Sequence, residues 1–149
     1  MKKLAFSGVV LGLFAVGLAA QDTKLQAKDL PAPVLKSAQA ELAKGGKLVG
    51  YLKDVEDGKT YYEMETTISG HTRDFQFDPS GKLLEVEEEM AQSAVPPAAL
   101  KALAAKGTVS KVESVSKNGV IVAYESIVKT KAGKELEVAV DATGKTVTP

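Results

Sequence analysis

Cysteine and tryptophan are absent from this chain of 149 residues, histidine occurs once, and aromatic residues make up 5% of it. Without cysteine there is no disulfide framework and no thiolate metal site, so stability rests on an apolar core. His71 has no second histidine or cysteine with which to build a zinc site or a nucleophile–base pair, and it reads as a turn residue beside Gly70. With no tryptophan to stack on a sugar, the paired carboxylates Glu63 and Glu65 lack the rest of a glycosidase cleft. Strong charge of one sign is also missing: Lys+Arg and Asp+Glu stand at 19 each. Such a chain has no electrostatic reason to seek nucleic acid or anionic lipid.

The longest apolar run lies at the N-terminus. Lys2 and Lys3 precede Leu4 to Leu18, a run of about 15 residues, which suits an export signal better than a membrane span of about 20. Ala19 and Ala20 supply the small residues of a cleavage site, placed after Ala20, and residues 1–20 are read as a signal peptide. An uncleaved N-terminal anchor is the rival reading. Export predicts a periplasmic or secreted protein with no stable membrane anchor after cleavage.

The remaining chain says nearly the same thing twice. Leu30-Pro31-Ala32-Pro33-Val34-Leu35-Lys36 is answered by Val95-Pro96-Pro97-Ala98-Ala99-Leu100-Lys101. Tyr61-Tyr62-Glu63 is answered by Ala123-Tyr124-Glu125, and Phe77-Asp78-Pro79-Ser80-Gly81-Lys82 by Val140-Asp141-Ala142-Thr143-Gly144-Lys145. Each copy opens on a proline-started helix, over 29–44 and 95–107, that stops at glycine. Strands over 48–55, 60–68, 72–78 and 82–87 follow the first helix. Strands over 109–116, 120–129, 134–140 and 145–148 follow the second, with Asn118-Gly119 as a hairpin turn. The expectation is α+β: two tandem units, 21–90 and 91–149, each a helix packed on a four-stranded antiparallel sheet. A unit of about 60 residues is marginal alone, so the two pack together or meet in one extended sheet.

Alternation assigns faces. Tyr62, Met64, Thr66 and Ile68 with Phe75 and Phe77 should meet the first helix, and Tyr124, Ser126 and Val128 with Leu136, Val138 and Val140 the second. Tyr61, Glu63, Glu65, Asp74, Gln76 and Asp78 take the other side. Ile121, Ala123 and Ile127 make that side of the second unit unusually apolar, fit for a contact between units or with a partner. The run Glu85-Val86-Glu87-Glu88-Glu89 reads as an edge strand passing into a solvated linker over 90–94, with a contact for a basic partner or a cation as the rival use.

These residues resemble a known family. Leu30-Pro31 with its helix, Asp57-Gly58-Lys59-Thr60-Tyr61-Tyr62-Glu63 and Phe75-Gln76-Phe77-Asp78-Pro79-Ser80-Gly81-Lys82-Leu83-Leu84-Glu85 look like the PepSY-like, β-lactamase-inhibitor-protein-like domains of bacterial envelope proteins. The likeness spans nearly the whole chain after the signal. The second copy departs from it, with Ala123-Tyr124 for the tyrosine pair and Val138 and Val140 for the phenylalanines. The resemblance implies a helix on a four-stranded sheet, twice, in an envelope protein that binds or inhibits another protein; it carries over no inhibitory residues.

Motifs for chemistry fail on inspection. Gly58-Lys59-Thr60 and Gly144-Lys145-Thr146 have Lys53 and Ala139 where a phosphate loop needs glycine, and neither Gly58 nor Gly81 sits in an EF-hand pattern. No catalytic, cofactor or metal residue is expected. The reading is an exported, non-enzymatic binding module for an envelope protein or peptide, with Tyr51, Tyr61, Glu63 and Glu65 as an aromatic-acidic partner surface. Tyr51 and Tyr61 covering the second unit is the competing use, and Gly50 admits a bulge that would reset the register around Tyr51. The rival functions are a small-ligand- or metal-responsive envelope protein and a carboxylate-dependent hydrolase.

Overall fold

The computed structural model describes residues 23–56 and 58–148; the expected signal peptide lies outside the described residues. The elements run β1 (Thr23–Leu25), α1 (Ala32–Leu42), β2 (Lys47–Glu56), β3 (Lys59–Ile68), β4 (His71–Phe77), β5 (Leu83–Met90), α2 (Pro97–Ala104), β6 (Thr108–Val109), β7 (Val112–Lys117), β8 (Val120–Lys129) and β9 (Glu135–Val140). Short 3-10 turns at Ala27–Asp29 and Gln92–Ala94 lead into the helices. Pro33 lies in the first turn of α1 and Pro97 in that of α2, where a missing N–H costs nothing. Leu30 and Val95 stand just before the helices and are buried under them.

The expectation of two tandem helix-on-four-strand units is overturned. The strands form one nine-stranded sheet in the order β1-β2-β3-β4-β5-β7-β8, with β6 beside β8 and β9 on the far side of β8. All pairings are antiparallel. The joint is the acidic run: β5 pairs with β4 along one side and with β7 along the other, from Val86 opposite Ser116 to Met90 opposite Val112. It is an interior strand and not an edge, and its last residue, Met90, extends it into the expected linker. An interior position satisfies the backbone N–H and C=O groups on both sides of this strand, which no solvated edge would do within the sheet. Two further details differ. β1 adds an unforeseen strand beside β2, and the expected strand over 145–148 reduces to a single bridge between Val140 and Thr146.

Both helices lie on one face of the sheet. Under α1, Leu30, Val34 and Ala38 pack with Tyr51, Met64, Phe75 and Phe77. Under α2, Val95, Ala99 and Leu103 pack with Val112, Tyr124, Val128, Val138 and Val140. The period-2 face assignments for β3, β4, β8 and β9 match these clusters except at the strand ends, where Ile68 joins neither cluster and Leu136 is 40% exposed, because a strand with one buried face has its register set by which residues are apolar.

Two turns lock the helix starts to the sheet. Asp78 Oδ1 accepts the N–H groups of Ser80 at 2.8 Å and Lys82 at 3.1 Å; Asp141 Oδ1 accepts those of Thr143 at 2.8 Å and Lys145 at 3.1 Å. The Ser80 and Thr143 hydroxyls add to this and hold both aspartates below the usual carboxylate range. Gly81, at φ +83°, lies so close to α1 that a Cβ would sit 2.5 Å from the Pro33 carbonyl oxygen. Gly119, at φ +76° in the β7–β8 hairpin, has open space around it. We therefore expect Gly81→Ala to cost about 2–3 kcal/mol, conformational strain plus a backbone clash, against about 1 kcal/mol for Gly119→Ala. Urea unfolding of the two variants measures the gap; equal losses would mean that the helix–turn contact yields freely.

Candidate functional site: the acidic outer face of the sheet

The face turned away from both helices carries acid on β3, β4, β5, β7, β8 and β9. Residues directly opposite one another share a face, so the register places Glu65 beside Asp74, Asp74 beside Glu87, Glu89 beside Glu113, and Glu113 beside Glu125. Glu137 on β9 lies beside Ile127 on β8, two residues along from Glu125. Directly opposed like charges destabilise a sheet, so the arrangement is a cost that packing elsewhere offsets. Two lysines of this face are engaged with its acids. The Lys117 ammonium lies 3.1 Å from Glu85 Oε2. Lys111, just before β7, lies 2.8 Å from Glu113 Oε1 and 3.4 Å from Glu89 Oε2.

Asp74, Glu113 and Glu125 are buried although no helix covers them, so the neighbouring side chains of the same face exclude water from them. Glu113 is the centre. Its side chain is 2% exposed, Oε1 takes the Lys111 ammonium and the Thr72 hydroxyl, and Oε2 is buried with no hydrogen-bond partner among the described residues.

The titration behaviour follows from this crowding. Burial first, then the charges of Glu125, Glu113, Glu85 and Glu63, push Glu87 up to about 9. Burial and then Glu137, Glu85 and Glu113 push Glu125 up to about 8. Glu137 rises to about 7 through burial and Glu113. Asp74 also rises to about 7, burial outweighing the Thr66 N–H that it accepts at 3.0 Å. Glu89 moves the other way: burial opposes its charge, but the Thr72 N–H and Lys111 outweigh it. At neutral pH Asp74 and Glu137 are therefore near half protonation, and Glu125 and Glu87 are mostly protonated.

A small pocket opens on this face between β3, β4 and β5, lined by Glu63, Asp74, Phe75, Gln76, Glu85 and Glu87. Its volume of about 20 Å³ holds one water-sized group and no organic ligand. Among the described residues no group of three or more histidine, aspartate or glutamate side chains is arranged to hold a metal ion. The rim at the β7–β8 hairpin is apolar, with Val120, Ile121 and Val122 all at least 40% exposed.

Of the four residues expected to form a partner surface, Tyr61, Glu63 and Glu65 lie on this outer face. Tyr51 does not: it is 6% exposed, packed with Met64 in the core under α1. The register shift between Leu48 and Gly50 leaves Val49 as an extra residue and moves Tyr51 to the opposite face. Glu113, Glu125 and Glu137 were not picked out from sequence, and Glu87 only as part of the acidic run. The signal was available in part, since Glu125 aligns with Glu63 in the repeated motif, but the closing of β5 against β7 is what gathers them.

Lys111→Met would leave Glu113 buried with only the Thr72 hydroxyl. We expect a loss of about 2–3 kcal/mol, below the usual cost of breaking a fully buried pair because Lys111 is 22% exposed. Denaturant unfolding at pH 7 checks this, and a loss under about 0.5 kcal/mol would demote the pair to a surface ion pair.

No family model matches the chain, and no curated protein matches it. Among solved structures it is similar to a candidate periplasmic protein of Bacteroides eggerthii, at 17% identity over 79% of this chain and 86% of that one, with a TM-score of 0.61. A DUF2874 family protein of Bacteroides ovatus shares 15% identity over 79% and 84%, with a TM-score of 0.60. A BLIP-like protein of Bacteroides fragilis shares 21% over 76% and 86%, with a TM-score of 0.50. At these identities the likeness is one of fold, and the class it defines is the BLIP-like fold: helices on one face of a broad antiparallel sheet and an open face behind.

Proposed function

We propose that this protein is an exported, non-enzymatic binding module of the cell envelope that holds a protein or peptide against the outer face of its sheet. The observation that carries the reading is the uncovered acidic face, where Glu63, Asp74, Glu87, Glu113, Glu125 and Glu137 stand against Lys111 and Lys117. The fold loses stability as these carboxyls ionise, whereas a partner of opposite charge would favour their ionised form. The N-terminal Lys2-Lys3 and apolar run support export, as do the periplasmic descriptions of structural neighbours. The BLIP-like neighbour supports protein binding as the mode of action, and the PepSY-like reading of the repeated motifs agrees with it.

Affinity capture tests the proposal. The chain from Gln21 to Pro149, immobilised and exposed to envelope extract, should retain a protein that a Tyr61→Ala/Glu63→Lys variant does not. Retention of the same protein by both would move the surface off this face, and turnover of a substrate by the purified chain would overturn the non-enzymatic reading.

A further inference from the structure

We infer that copies of this chain join head to tail, the outer edge of β9 in one copy receiving β1 of the next, with Lys24 of one beside Glu135 of the other. The contact uses the two ends of the sheet and does not depend on what the acidic face binds.

The two repeats correspond strand by strand, and β5 is the strand they share. Its first half pairs back on β4, from Leu83 opposite Phe77 to Glu88 opposite Arg73, and its second half pairs forward on β7, from Val86 opposite Ser116 to Met90 opposite Val112. Each half recurs alone at one end of the sheet. β1 lies on β2 as the second half of β5 lies on β7: Leu25 opposite Tyr51 and Thr23 opposite Lys53 answer Met90 opposite Val112 and Glu88 opposite Ser114. After β9, the Asp141–Lys145 turn repeats the Asp78–Lys82 turn, and the bridge between Val140 and Thr146 repeats the pair of Phe77 and Leu83. The Val147 N–H then donates to the Ala139 carbonyl oxygen at 3.1 Å, and among the described residues Glu135, Leu136, Glu137 and Val138 pair with β8 alone. Alternation turns the backbone N–H and C=O groups of Glu137 and Glu135 outward with that carbonyl, at positions whose counterparts on β4 lie along β5. One end of the sheet thus displays the half-strand that the other end lacks.

The side chains fit the same joint. With the register of β5, Thr23 of one copy falls opposite Leu136 of the next, as Glu88 falls opposite Arg73, and Lys24 lies beside Glu135, as the Glu89 carboxylate lies beside the Thr72 N–H. Arg73 is covered in its place: it reaches Glu88 at 3.5 Å and lies over the Phe75 ring. Leu136, its counterpart, is 40% exposed, and an incoming strand would cover it. Lys24 and Glu135 are both exposed and of opposite charge, a cross-strand pair that stabilises. Like ends repel instead. Two β9 edges meeting about a two-fold axis at the open residues would set Glu137 against itself or against Glu135, and two β1 edges would set Lys24 against Lys24. The ends therefore select each other, a heterologous contact that adds further copies without closing at a pair. Each added copy would place its α1 after α2 by the same step that separates α1 from α2 within the chain, as in a repeat array.

Sedimentation velocity tests this on the chain from Gln21 to Pro149, which contains the whole sheet and both helices. Between about 10 µM and about 1 mM its sedimentation coefficient should rise past that of a dimer. Lys24→Glu or Glu135→Lys alone should weaken the association about tenfold, since each sets like charges side by side. An equimolar mixture of the two variants should restore it, because each then offers the end that the other needs; a merely structural effect of either substitution would not be cured by mixing. The absence of native cysteine allows a second measurement. Lys24→Cys mixed with Glu135→Cys and oxidised should give far more mixed disulfide than Lys24→Cys mixed with Lys59→Cys, in the β2–β3 hairpin away from either edge. A chain that stays monomeric at the highest concentration, assembly that stops at a dimer, charge reversal without effect, a mixture that does not recover, or equal mixed disulfide from both pairs would each overturn the inference.

Discussion

Raising the pH from 6 to 9 is expected to lower the melting temperature of the chain by about 10 °C, corresponding to a loss on the order of 3 kcal/mol for a domain of this size. The folded-state values of Asp74, Glu87, Glu125 and Glu137 lie above those of the unfolded chain, at about 7, 9, 8 and 7. Through this window the folded protein binds more protons than the unfolded one, so stability falls as pH rises. These groups contribute fully below the ordinary carboxylate range, and the contribution is lost as pH climbs through their folded values, flattening above 9. A single group at full strength would cost about 1.4 kcal/mol per pH unit, and solvent screening at the partly open Glu137, together with the sharing of protons among neighbours, brings the sum down. Opposite in sign are Glu89, Asp78 and Asp141, whose values are lowered; their contribution is lost as pH falls through those values. The stability optimum therefore lies in mild acid, between the two sets. Glu87→Gln should change little at pH 6, where the native side chain is already protonated, and raise the melting temperature at pH 9. A melting temperature that is level or higher at pH 9 in the native chain would show that water reaches these carboxyls freely.

Phe77→Ala should cost about 3–5 kcal/mol, a large part of the 5–15 kcal/mol that holds a typical domain folded. Phe77 is completely buried on β4 and packs in the cluster of Leu30, Val34, Met64 and Phe75. Replacing the ring with a methyl group removes its transfer free energy and leaves a cavity that α1 cannot close, because the Asp78–Lys82 turn and Gly81 hold that end of the sheet against Pro33. The variant also asks whether the sheet acts as one unit. Backbone pairing is continuous through β5 and β7, so the amides of Val128 and Val138, in the cluster under α2, should lose hydrogen-exchange protection by the same free energy as those around Met64. Loss of protection under α1 alone, with α2 and its strands unaffected, would mean that the two halves unfold separately despite sharing a sheet.

Much of the local structure was legible. Helix starts were marked by proline, helix ends by glycine, and the hairpins by Asp-Gly and Asn-Gly, because each of these residues has a conformational preference independent of the rest of the chain. The buried faces of β3, β4, β8 and β9 followed from alternation. Tyr51 shows where that reasoning stopped: one extra residue at Val49 inverts every side chain beyond it, and a bulge has no obligatory sequence mark. The acidic strand failed for a different reason. Read alone, Glu85 to Glu89 looks solvated, since five residues with four acids do not suggest the middle of a sheet; yet its inward residue Val86 packs under α1 and its backbone pairs on both sides.

The sequence by itself determined both helices, most of the strands and their antiparallel hairpins, most of the residues that meet the helices, and the absence of thiol chemistry, since propensity, periodicity and composition act over a few residues at a time. Only the tertiary structure decided that the strands form one sheet through β5 and β7, and that Glu63, Asp74, Glu87, Glu113, Glu125 and Glu137 therefore share one face. Those carboxyls come from six different strands and are as much as 74 residues apart, and their mutual charge, their burial and the raised proton affinity of Asp74, Glu87, Glu125 and Glu137 arise from proximity, which no local pattern encodes.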